Sequence, residues 1–287
     1  MEKTNSSRRQ FLKQAALVTG GAIVLPTIIP SCVMKNSPNG KVVLGHIGVG
    51  GRGSDLLAGF LQLHQNAQSV AICDTFGDRR EKVKGSIDGF YAKLKDVEKY
   101  KGCDTYADFQ ELLDRKDIDG VVIAVPDHWH VPLATAAIKA GKAVYVEKPL
   151  GITIEQGQML RKLVHEKKAI FQYGTQQRSD PRFRQACEIA RNGLIGKVEK
   201  IDAWCEGNYN FLKDCTPGTI PAGFDYNRWQ GPAAEREYCP ERVENYGAYF
   251  IYDYALGFIA GWGAHPLDIA QWGNNSDDNC PTKISGT

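Results

Sequence analysis

The chain has 287 residues and carries 35 Lys and Arg against 33 Asp and Glu, a formal net charge of +2. This length suggests one large domain or two ordinary ones, and the composition is that of a soluble globular protein. No basic stripe interleaved with aromatic side chains is present, which argues against nucleic acid as a partner.

The N-terminal segment, residues 1–32, has the pattern of an export signal. Arg8 and Arg9 precede an apolar stretch over residues 15–29, as in a twin-arginine signal. The stretch is short and rich in small residues, which disfavours a membrane span. Cys32 follows a small residue, as at a lipoprotein cleavage site, so either Cys32 carries a lipid anchor or it is discarded on cleavage. The pattern predicts a periplasmic or membrane-anchored location, with residues 33–40 as a linker.

The next segment carries a glycine motif between a strand and a helix. Residues 41–47 have the apolar pattern of a buried strand, residues 48–53 read GVGGRG, and a helical pattern follows. In this context Gly48 permits the tight turn, Gly50 lets the backbone approach a pyrophosphate, and Gly53 lets the helix pack against the strand. The helix N-terminus offers free N–H groups to the phosphates. The motif therefore predicts a dinucleotide-binding fold.

The second predicted strand, residues 69–74, ends in an acidic residue. Asp74 follows Gly53 at nearly the spacing of about 20 residues expected for the carboxylate that binds the adenine ribose. Because a carboxylate repels a 2′-phosphate, Asp74 favours NAD(H) over NADP(H). Arg79 and Arg80 follow closely in sequence and keep NADP(H) open.

Strand and helix patterns continue to alternate up to residue 152. Helices are predicted over residues 76–94, 106–115 and 131–140, and strands over residues 118–125 and 143–146. This alternation predicts an α/β fold with a doubly wound parallel sheet, a Rossmann domain over residues 41–152. Lys148 follows the last strand, at the sheet edge where such folds bind ligands. It either serves a bound substrate or is a solvated charge beside Glu147.

Residues 153–287 are predicted to form a second domain. Thr153 and Gln156 form a capping-box pattern at the start of a helix. A strand over 169–173, a helix over 182–192 and a strand over 197–205 are predicted to follow. The aromatic-rich segment beyond residue 208 includes Trp229, and such rings either line carbohydrate sites or pack in a core. Cys73 is predicted to be a free buried thiol, whereas the pairing of later cysteines is left open: Cys205, Cys215, Cys239 and Cys280.

Five motifs together resemble the glucose–fructose oxidoreductase, inositol dehydrogenase and MocA (Gfo/Idh/MocA) family. They are GVGGRG at 48–53, VPDHWH at 125–130, EKP at 147–149, GTQQR at 174–178 and GAHPLD at 263–268. The resemblance covers nearly all of the chain after residue 40, and the EKP motif is its most specific part. It implies a Rossmann domain, then an α+β domain with an open, mostly antiparallel sheet, and a carbohydrate substrate bound between them. It also implies a homo-oligomer for a full-length protein.

The resemblance implies roles for individual residues. Lys148 matches the family's active-site lysine, and His265 matches its active-site histidine. The candidate cofactor-binding residues are Gly48, Gly50, Gly51, Arg52, Gly53, Asp74, Pro126, His128, His130, Glu147 and Gln176. The candidate substrate-binding residues are Arg178, Trp229 and Asp268. His128 and His130 also have the spacing of a metal-binding pair, but no third ligand is evident and no metal is predicted.

Two departures from the family pattern affect these expectations. Many members carry an aspartate four residues before the histidine, where this chain has Gly261. Asp268 lies three residues after His265 and would share a helix face with it, where it orients the imidazole or makes another polar contact. The chain also ends at Thr287 in the pattern of a starting strand, which predicts a truncated second domain with unpaired strand edges.

The sequence therefore predicts a nicotinamide-dependent oxidoreductase that acts on a hydroxyl of a sugar, cyclitol or glycoside. Lys148 and His265 would handle the proton. One alternative is a glycoside-cleaving enzyme of the same fold, which oxidises a ring hydroxyl, eliminates the aglycone and then returns the hydride. The other is a non-catalytic exported sugar-binding protein, suggested by the missing aspartate and the early end.

Overall fold

A six-stranded parallel sheet organises the computed structural model, which describes residues 40–94, 100–205, 215–243 and 247–283. The strands are β1 (Val42–Ile47), β2 (Ala67–Cys73), β3 (Asp104–Tyr106), β4 (Gly120–Ile123), β5 (Ala143–Glu147) and β6 (Phe171–Gly174). Their spatial order is β3-β2-β1-β4-β5-β6, and all neighbours are parallel. The order reverses between β1 and β4, the place where doubly wound sheets bind ligands.

Helices connect the strands and cover both faces of the sheet. They are α1 (Gly51–Gln62), α2 (Gly77–Tyr91), α3 (Phe109–Leu113), α4 (His130–Lys139) and α5 (Ile154–Lys167). Alternate side chains of a strand point to opposite faces. Ala71 and Cys73 of β2 therefore join a core cluster with α3, α4 and α5, whereas Ile72 joins the cluster under α1 and α2. Each fully buried Leu or Ile in these clusters contributes about 1.5–3 kcal/mol.

The start of α5 follows from its capping residues. Thr153 Oγ1 accepts a hydrogen bond from Gln156 N at 3.1 Å, and Gln156 Oε1 accepts one from Ile152 N at 3.2 Å. Two N–H groups that have no partner within the helix are thereby satisfied. The helix predicted from the capping-box pattern is confirmed.

The described chain after β6 is helical and irregular. Its helices are α6 (Pro181–Arg191), α7 (Tyr226–Gln230), α8 (Pro240–Val243), α9 (Gly257–Gly261) and α10 (Ala264–Gly273). A buried aromatic cluster is formed by Phe224, Tyr226, Trp229, Tyr238 and Tyr254. Phe224 stacks on Phe76 with 3.8 Å between ring centroids, and His128 N donates to Tyr254 O at 3.0 Å. These contacts dock the second half on the parallel sheet domain.

The second half also differs from the sequence prediction. Residues 197–205 form no strand, and Ile201 and Trp204 are exposed. Alternation alone does not make a strand, because its backbone groups need a neighbouring strand as partner. The strand predicted at 169–173 forms as β6, but it extends the parallel sheet by pairing with β5, beyond the domain boundary at residue 152. No strand follows β6 in the described residues, so these do not form the expected antiparallel sheet.

Cys215 and Cys239 form a disulfide, and Cys73 is free and buried as predicted. Within the described ranges, no helix is long and apolar enough to cross a bilayer. The predicted export signal, including Cys32, lies outside the described residues.

Candidate functional site

A cavity of about 1080 Å³ opens at the carboxyl edge of the sheet. One wall comes from the loops that follow β1, β2 and β4, and the opposite wall comes from the C-terminal half of the chain. Six residues predicted to contact a cofactor line it: Gly48, Gly50, Gly51, Arg52, Asp74 and Pro126. The cavity thus coincides with the site that the glycine motif predicts.

The loop glycines fall into two kinds. Gly48 has a φ of +82°, and a Cβ there would lie 2.3 Å from Ala124 O. A Cβ on Gly53 would lie 2.0 Å from Gly48 O. Gly51 has no heavy atom within 4 Å of its Cβ position, and Gly50 has only a guanidinium nitrogen at 3.6 Å. Gly48 and Gly53 therefore permit packing, whereas Gly50 and Gly51 leave the open space that a pyrophosphate needs.

The Asp74 side chain binds the backbone of the glycine loop and of the segment after β2. Its Oδ2 accepts from Val49 N and its Oδ1 accepts from Phe76 N, both at 2.9 Å. Burial raises the pKa of Asp74, while these two bonds and the charges of Arg79 and Arg80 oppose the rise. Each carboxylate oxygen retains acceptor capacity. Asp74 can therefore hold the loop and accept hydrogen bonds from ribose hydroxyls.

These features fit a nicotinamide dinucleotide. The first turn of α1 contains no acidic residue, so its N–H groups and positive dipole end are available to phosphates. Arg52 in that turn lines the cavity and adds a cation. Gly50 and Gly51 would hold the pyrophosphate, and Asp74 would hold the adenine ribose. The cofactor would supply a hydride acceptor or donor at the other end of the cavity.

Arg52 also links the cofactor loop to the end of β5. Its Nε donates to Glu147 Oε1 at 2.9 Å, and Tyr145 Oη donates to the same oxygen at 3.3 Å. Glu147 is buried and does not belong to the cavity lining. This ion pair neutralises a buried carboxylate and joins α1 to the strand that carries Lys148.

The segment after β4 contributes one acidic residue to the cavity lining. Asp127 is 4% exposed and lines the cavity, and its Oδ2 has no hydrogen-bond partner within the described residues. Burial raises the pKa of Asp127 to about 7, although the positive charge of Lys148 opposes the rise. An ionisable group with a pKa near neutrality inside a cavity is suited to proton exchange.

His128 and His130 lie behind the cavity wall instead. His128 Nε2 lies 3.2 Å from Trp229 O, and the His130 ring lies 2.5 Å from Pro149 O and 2.9 Å from Val125 O. Burial lowers the pKa of both imidazoles, that of His130 to about 4. Neither ring lines the cavity. The geometry gives them the role of bracing the loop through backbone carbonyls, which does not suit a metal-binding pair.

Lys148 lies at the end of β5 and points toward the C-terminal half. Its Nζ donates to Gly261 O at 2.9 Å and to Tyr249 Oη at 3.1 Å. Burial lowers the pKa of Lys148, while the negative charges of Glu147 and Asp127 oppose this. Lys148 does not itself line the cavity, but Tyr249 does.

His265 lies near the start of α10 and is 5% exposed. Gln176 Nε2 lies 3.4 Å from His265 Nε2. Burial lowers the pKa of His265, and the positive charges of Lys148 and Arg52 lower it further. The imidazole is therefore neutral near pH 7 and able to accept a proton. Neither His265 nor Gln176 belongs to the cavity lining.

The three predicted substrate-binding residues separate into two groups. Arg178 makes two hydrogen bonds of 2.8 Å to the Asp268 carboxylate and a third of 2.8 Å to Asp277. This bidentate pairing holds α10 against the turn after β6, so Asp268 binds Arg178 rather than the ring of His265. Trp229 is buried and lines the cavity. Of the three, Trp229 has the position that contact with a ligand requires.

Two residues of the site were not singled out by the sequence. Asp127 belongs to the VPDHWH motif, and its position at a strand end was the available signal. Tyr249 lies in the aromatic-rich segment, where no spacing distinguishes it from its neighbours. Both residues line the cavity, and both interact with Lys148.

Two domain models of one protein family match the chain. The model described as "Oxidoreductase family, NAD-binding Rossmann fold" matches residues 42–175, which hold all six strands. The model described as "Oxidoreductase family, C-terminal alpha/beta domain" matches residues 196–286. The two matches lie in the order that the resemblance implied, so a Rossmann domain followed by a C-terminal α/β domain is confirmed.

Individual relatives match the chain over part of their length. A glycosyl hydrolase family 109 protein of Solibacter usitatus (strain Ellin6076) is 37% identical over 159 residues, covering 54% of this chain and 35% of that protein. An alpha-N-acetylgalactosaminidase of Shewanella oneidensis (strain MR-1) is 34% identical over 167 residues, covering 53% and 35%. The chain thus spans about a third of the length of these curated relatives.

The solved structure of GenD2 from gentamicin A biosynthesis, in complex with NAD, shares the fold. It is 18% identical with a TM-score of 0.55, covering 82% of this chain and 54% of that chain. Both domain models match in sequence order, and the parallel sheet carries the glycine loop at its reversal point. The chain therefore belongs to the Gfo/Idh/MocA oxidoreductase family.

Proposed function

We propose that the protein is a nicotinamide-dependent oxidoreductase that acts on a hydroxyl of a sugar, cyclitol or glycoside. The observation that carries the proposal is that one cavity is lined both by the glycine loop and Asp74 and by Asp127 and Tyr249. A dinucleotide held by the glycine loop and Asp74 would supply a hydride acceptor or donor to the cavity that Asp127 and Tyr249 also line. Family membership supports the oxidoreductase part of the proposal.

The reaction requires two transfers. A hydride leaves the carbon for the nicotinamide, and a proton leaves the oxygen for a base within hydrogen-bond reach. Lys148, whose pKa is lowered by burial, and the neutral His265 are the proposed proton-handling groups. Trp229 gives the cavity an apolar wall against which the C–H face of a sugar ring can pack.

Replacing Lys148 by Met tests this proposal. The assay follows reduced nicotinamide by absorbance with a panel of hexoses, N-acetylhexosamines and inositols. Lys148→Met is expected to lower hydride transfer by at least about 100-fold, with cofactor affinity unchanged. Lys162→Met is the matched control, because Lys162 is 78% exposed on α5. Undiminished turnover by Lys148→Met would contradict the assignment.

We propose that NAD(H) is preferred over NADP(H). Asp74 offers a carboxylate where NADP(H) carries its 2′-phosphate, and the two repel each other. Arg79 also lines the cavity, and its Cζ lies 3.7 Å from the centroid of the Phe76 ring. Its positive charge could therefore offset the repulsion between Asp74 and a 2′-phosphate. Fluorescence titration of both reduced cofactors decides the preference. Tighter binding of NADPH than of NADH would contradict it.

A second candidate is an NAD-dependent glycoside-cleaving enzyme. It is favoured by the names of the relatives, which include glycosyl hydrolase family 109 proteins and an alpha-N-acetylgalactosaminidase. In that reaction the hydride returns to the sugar, so no net NADH accumulates. An aryl α-N-acetylgalactosaminide separates the two functions. Release of the aryl alcohol without NADH supports cleavage, and NADH without release supports simple oxidation.

We also propose export by the twin-arginine route, on the basis of Arg8, Arg9 and the apolar stretch that follows. Replacing both arginines by Lys is expected to leave the protein in the cytoplasm, and an unchanged periplasmic fraction would contradict export by this route.

Labelling with a radioactive fatty acid, with Cys32→Ala as control, tests lipid attachment. Light scattering tests the proposed homo-oligomer.

A further inference from the structure

Residues 215–239 form a closed loop, the wall loop, in one side of the cavity. A disulfide between Cys215 and Cys239 joins the two ends of this loop, which are 24 positions apart. Five residues between the two cysteines line the cavity: Asp225, Asn227, Arg228, Trp229 and Gly231. The glycine loop lines the same cavity from the sheet half, so a bound dinucleotide would lie between the glycine loop and the wall loop.

The backbone of the wall loop binds the chain segment that follows Asp74. Asp225 N donates a hydrogen bond to Thr75 O at 3.0 Å, and Gly77 N donates one to Gly223 O at 2.9 Å. Both bonds form on the segment directly after the carboxylate that fits the adenine ribose. The wall loop is therefore attached beside the ribose end of the cofactor site.

Aromatic side chains add to this docking. Phe224 of the wall loop stacks on Phe76, with 3.8 Å between ring centroids and 11° between ring planes. Farther along the wall loop, Trp229 O accepts a hydrogen bond from Trp129 Nε1 at 3.0 Å. Phe76 follows β2 and Trp129 follows β4, so the wall loop contacts two separate loops at the carboxyl edge of the sheet. Undocking of the wall loop would open the cavity from this side.

The two arms that connect the docked part of the wall loop to the disulfide are exposed. They are residues 216–223 and residues 234–237. One backbone hydrogen bond, from Gly218 N to Tyr238 O at 2.9 Å, joins the two sides of the wall loop near its ends. Exposed segments with few buried contacts open locally at a low cost in free energy. The disulfide is the covalent bond that limits how far the two arms can separate.

We propose that the Cys215–Cys239 disulfide holds the wall loop closed over a bound nicotinamide dinucleotide, and that reduction of this bond lets the loop open and the dinucleotide leave. A cross-link removes conformations that an undocked loop could otherwise adopt, which favours the docked state. This inference goes beyond the proposed reaction, because it concerns retention of the cofactor and rests only on dinucleotide binding.

The switch requires a dithiol as the reductant. The S–S bond takes up two electrons and two protons and becomes two thiols, while the dithiol becomes a disulfide. Cys215 is half-buried and Cys239 is 1% exposed, which favours attack at Cys215. Disulfides persist outside the cytoplasm and are reduced within it. Under the export route proposed above, the wall loop would close after the cofactor has bound.

The first test measures release of NADH. The protein is loaded with NADH, excess NAD⁺ is added, and the fall in NADH fluorescence gives the dissociation rate. Dithiothreitol is expected to raise this rate at least about tenfold in wild type, because the arms are no longer cross-linked. Alkylation by iodoacetamide, followed by mass spectrometry, verifies that Cys215 and Cys239 are reduced. Equal release rates before and after verified reduction would overturn the proposal.

Variants assign the effect to this disulfide. The double variant Cys215→Ser with Cys239→Ser is expected to release NADH at the fast rate with or without dithiothreitol. Cys280→Ser is the matched control, because Cys280 is exposed and free, and it is expected to keep the full redox dependence of wild type. Loss of the redox dependence in Cys280→Ser would overturn the proposal. The measurement on reduced wild type does not depend on folding of the double variant.

Hydrogen exchange without nucleotide tests opening directly. The amides of Gly77 and Asp225 donate across the docking contact, so their exchange is expected to become faster on reduction. Ala124 N donates to Ile47 O within the sheet half and is expected to be unaffected. Unchanged exchange at Gly77 and Asp225 would contradict opening of the wall loop, whatever the NADH release rate.

A last variant tests whether the disulfide acts through docking. Phe76→Ala removes the stack on Phe224, and Phe76 is outside the cavity lining. The oxidised variant is expected to release NADH rapidly, with little further increase on reduction. An undiminished effect of dithiothreitol would overturn the proposal. A protein that oxidises no substrate but releases NADH faster on reduction would refute the proposed reaction alone, whereas absence of nucleotide binding would refute this inference as well.

Discussion

Replacing Asp127 by Asn should stabilise the folded protein at neutral and alkaline pH. The carboxyl is 4% exposed, and burial raises its pKa from 3.8 to about 7. Between these values the folded protein retains a proton that the unfolded chain releases. Because the unfolded state binds fewer protons there, the free energy of unfolding of the wild type falls as the pH rises through this range.

The size of the effect follows from the pKa difference. Each unit corresponds to about 1.4 kcal/mol, so the ionised carboxyl destabilises the folded state by on the order of 4 kcal/mol above about pH 7. Asn has nearly the same shape and cannot ionise. The stability of Asp127→Asn relative to wild type should therefore rise by that amount between about pH 4 and about pH 8.

Urea denaturation across this pH range, without added nucleotide, measures the difference. Asp55→Asn is the control for the loss of a carboxyl, because Asp55 lies exposed on α1. A stability difference for Asp127→Asn that does not vary with pH would refute the argument from burial. A difference that changes in the opposite direction would mean that attraction by Lys148 outweighs burial.

Three further predictions concern the loop, the cofactor and the C-terminal half. Gly53→Ala should destabilise the fold by about 2–4 kcal/mol, because its Cβ would lie 2.0 Å from Gly48 O, whereas Gly51→Ala should be near neutral in the same urea titration. Asp74→Ala should weaken NADH binding at least about tenfold in a fluorescence titration, because Val49 N loses its acceptor and the ribose loses a carboxylate; unchanged affinity would remove Asp74 from the cofactor site. Asp268→Asn should lower stability by about 1 kcal/mol through the Arg178 pair and leave the KM for substrate unchanged; a raised KM would return Asp268 to the substrate site.

The Rossmann half could be predicted because its signals are local. Glycines between a strand and a helix, and Asp74 at the end of the next strand, specify a turn, a helix N-terminus and an acceptor within one short stretch of chain. The burial of Asp127 could not be read in this way, since the C-terminal half forms the opposite wall of the cavity. The strand prediction for residues 197–205 was wrong for a related reason. Alternating apolar and polar residues do not form a strand unless another strand elsewhere in the chain pairs with them.

The contacts of Lys148 could not be predicted from the sequence either. Gly261 reads in the sequence only as a missing aspartate, which weakens the case for alcohol oxidation. In the structure the glycine and Tyr249 depend on each other, because the ring occupies the space of the absent side chain. This relation joins Lys148 to residues more than 100 positions away, and no periodicity or motif spacing encodes such a contact.

The arrangement around Lys148 also assigns different tasks to the two halves of the molecule. The parallel sheet half holds the features that fit the cofactor, whereas Tyr249 comes from the C-terminal half. Lys148 spans the two, because it extends β5 and donates to Tyr249 Oη and Gly261 O. Substituting Lys148 should therefore remove a charge and both bonds to the C-terminal half, whereas Tyr249→Phe removes only the bond to the phenol oxygen. The excess loss of stability in Lys148→Met over Tyr249→Phe measures the contribution of the charge and of the bond to Gly261 O, and equal stabilities would mean that these two do not hold the halves together.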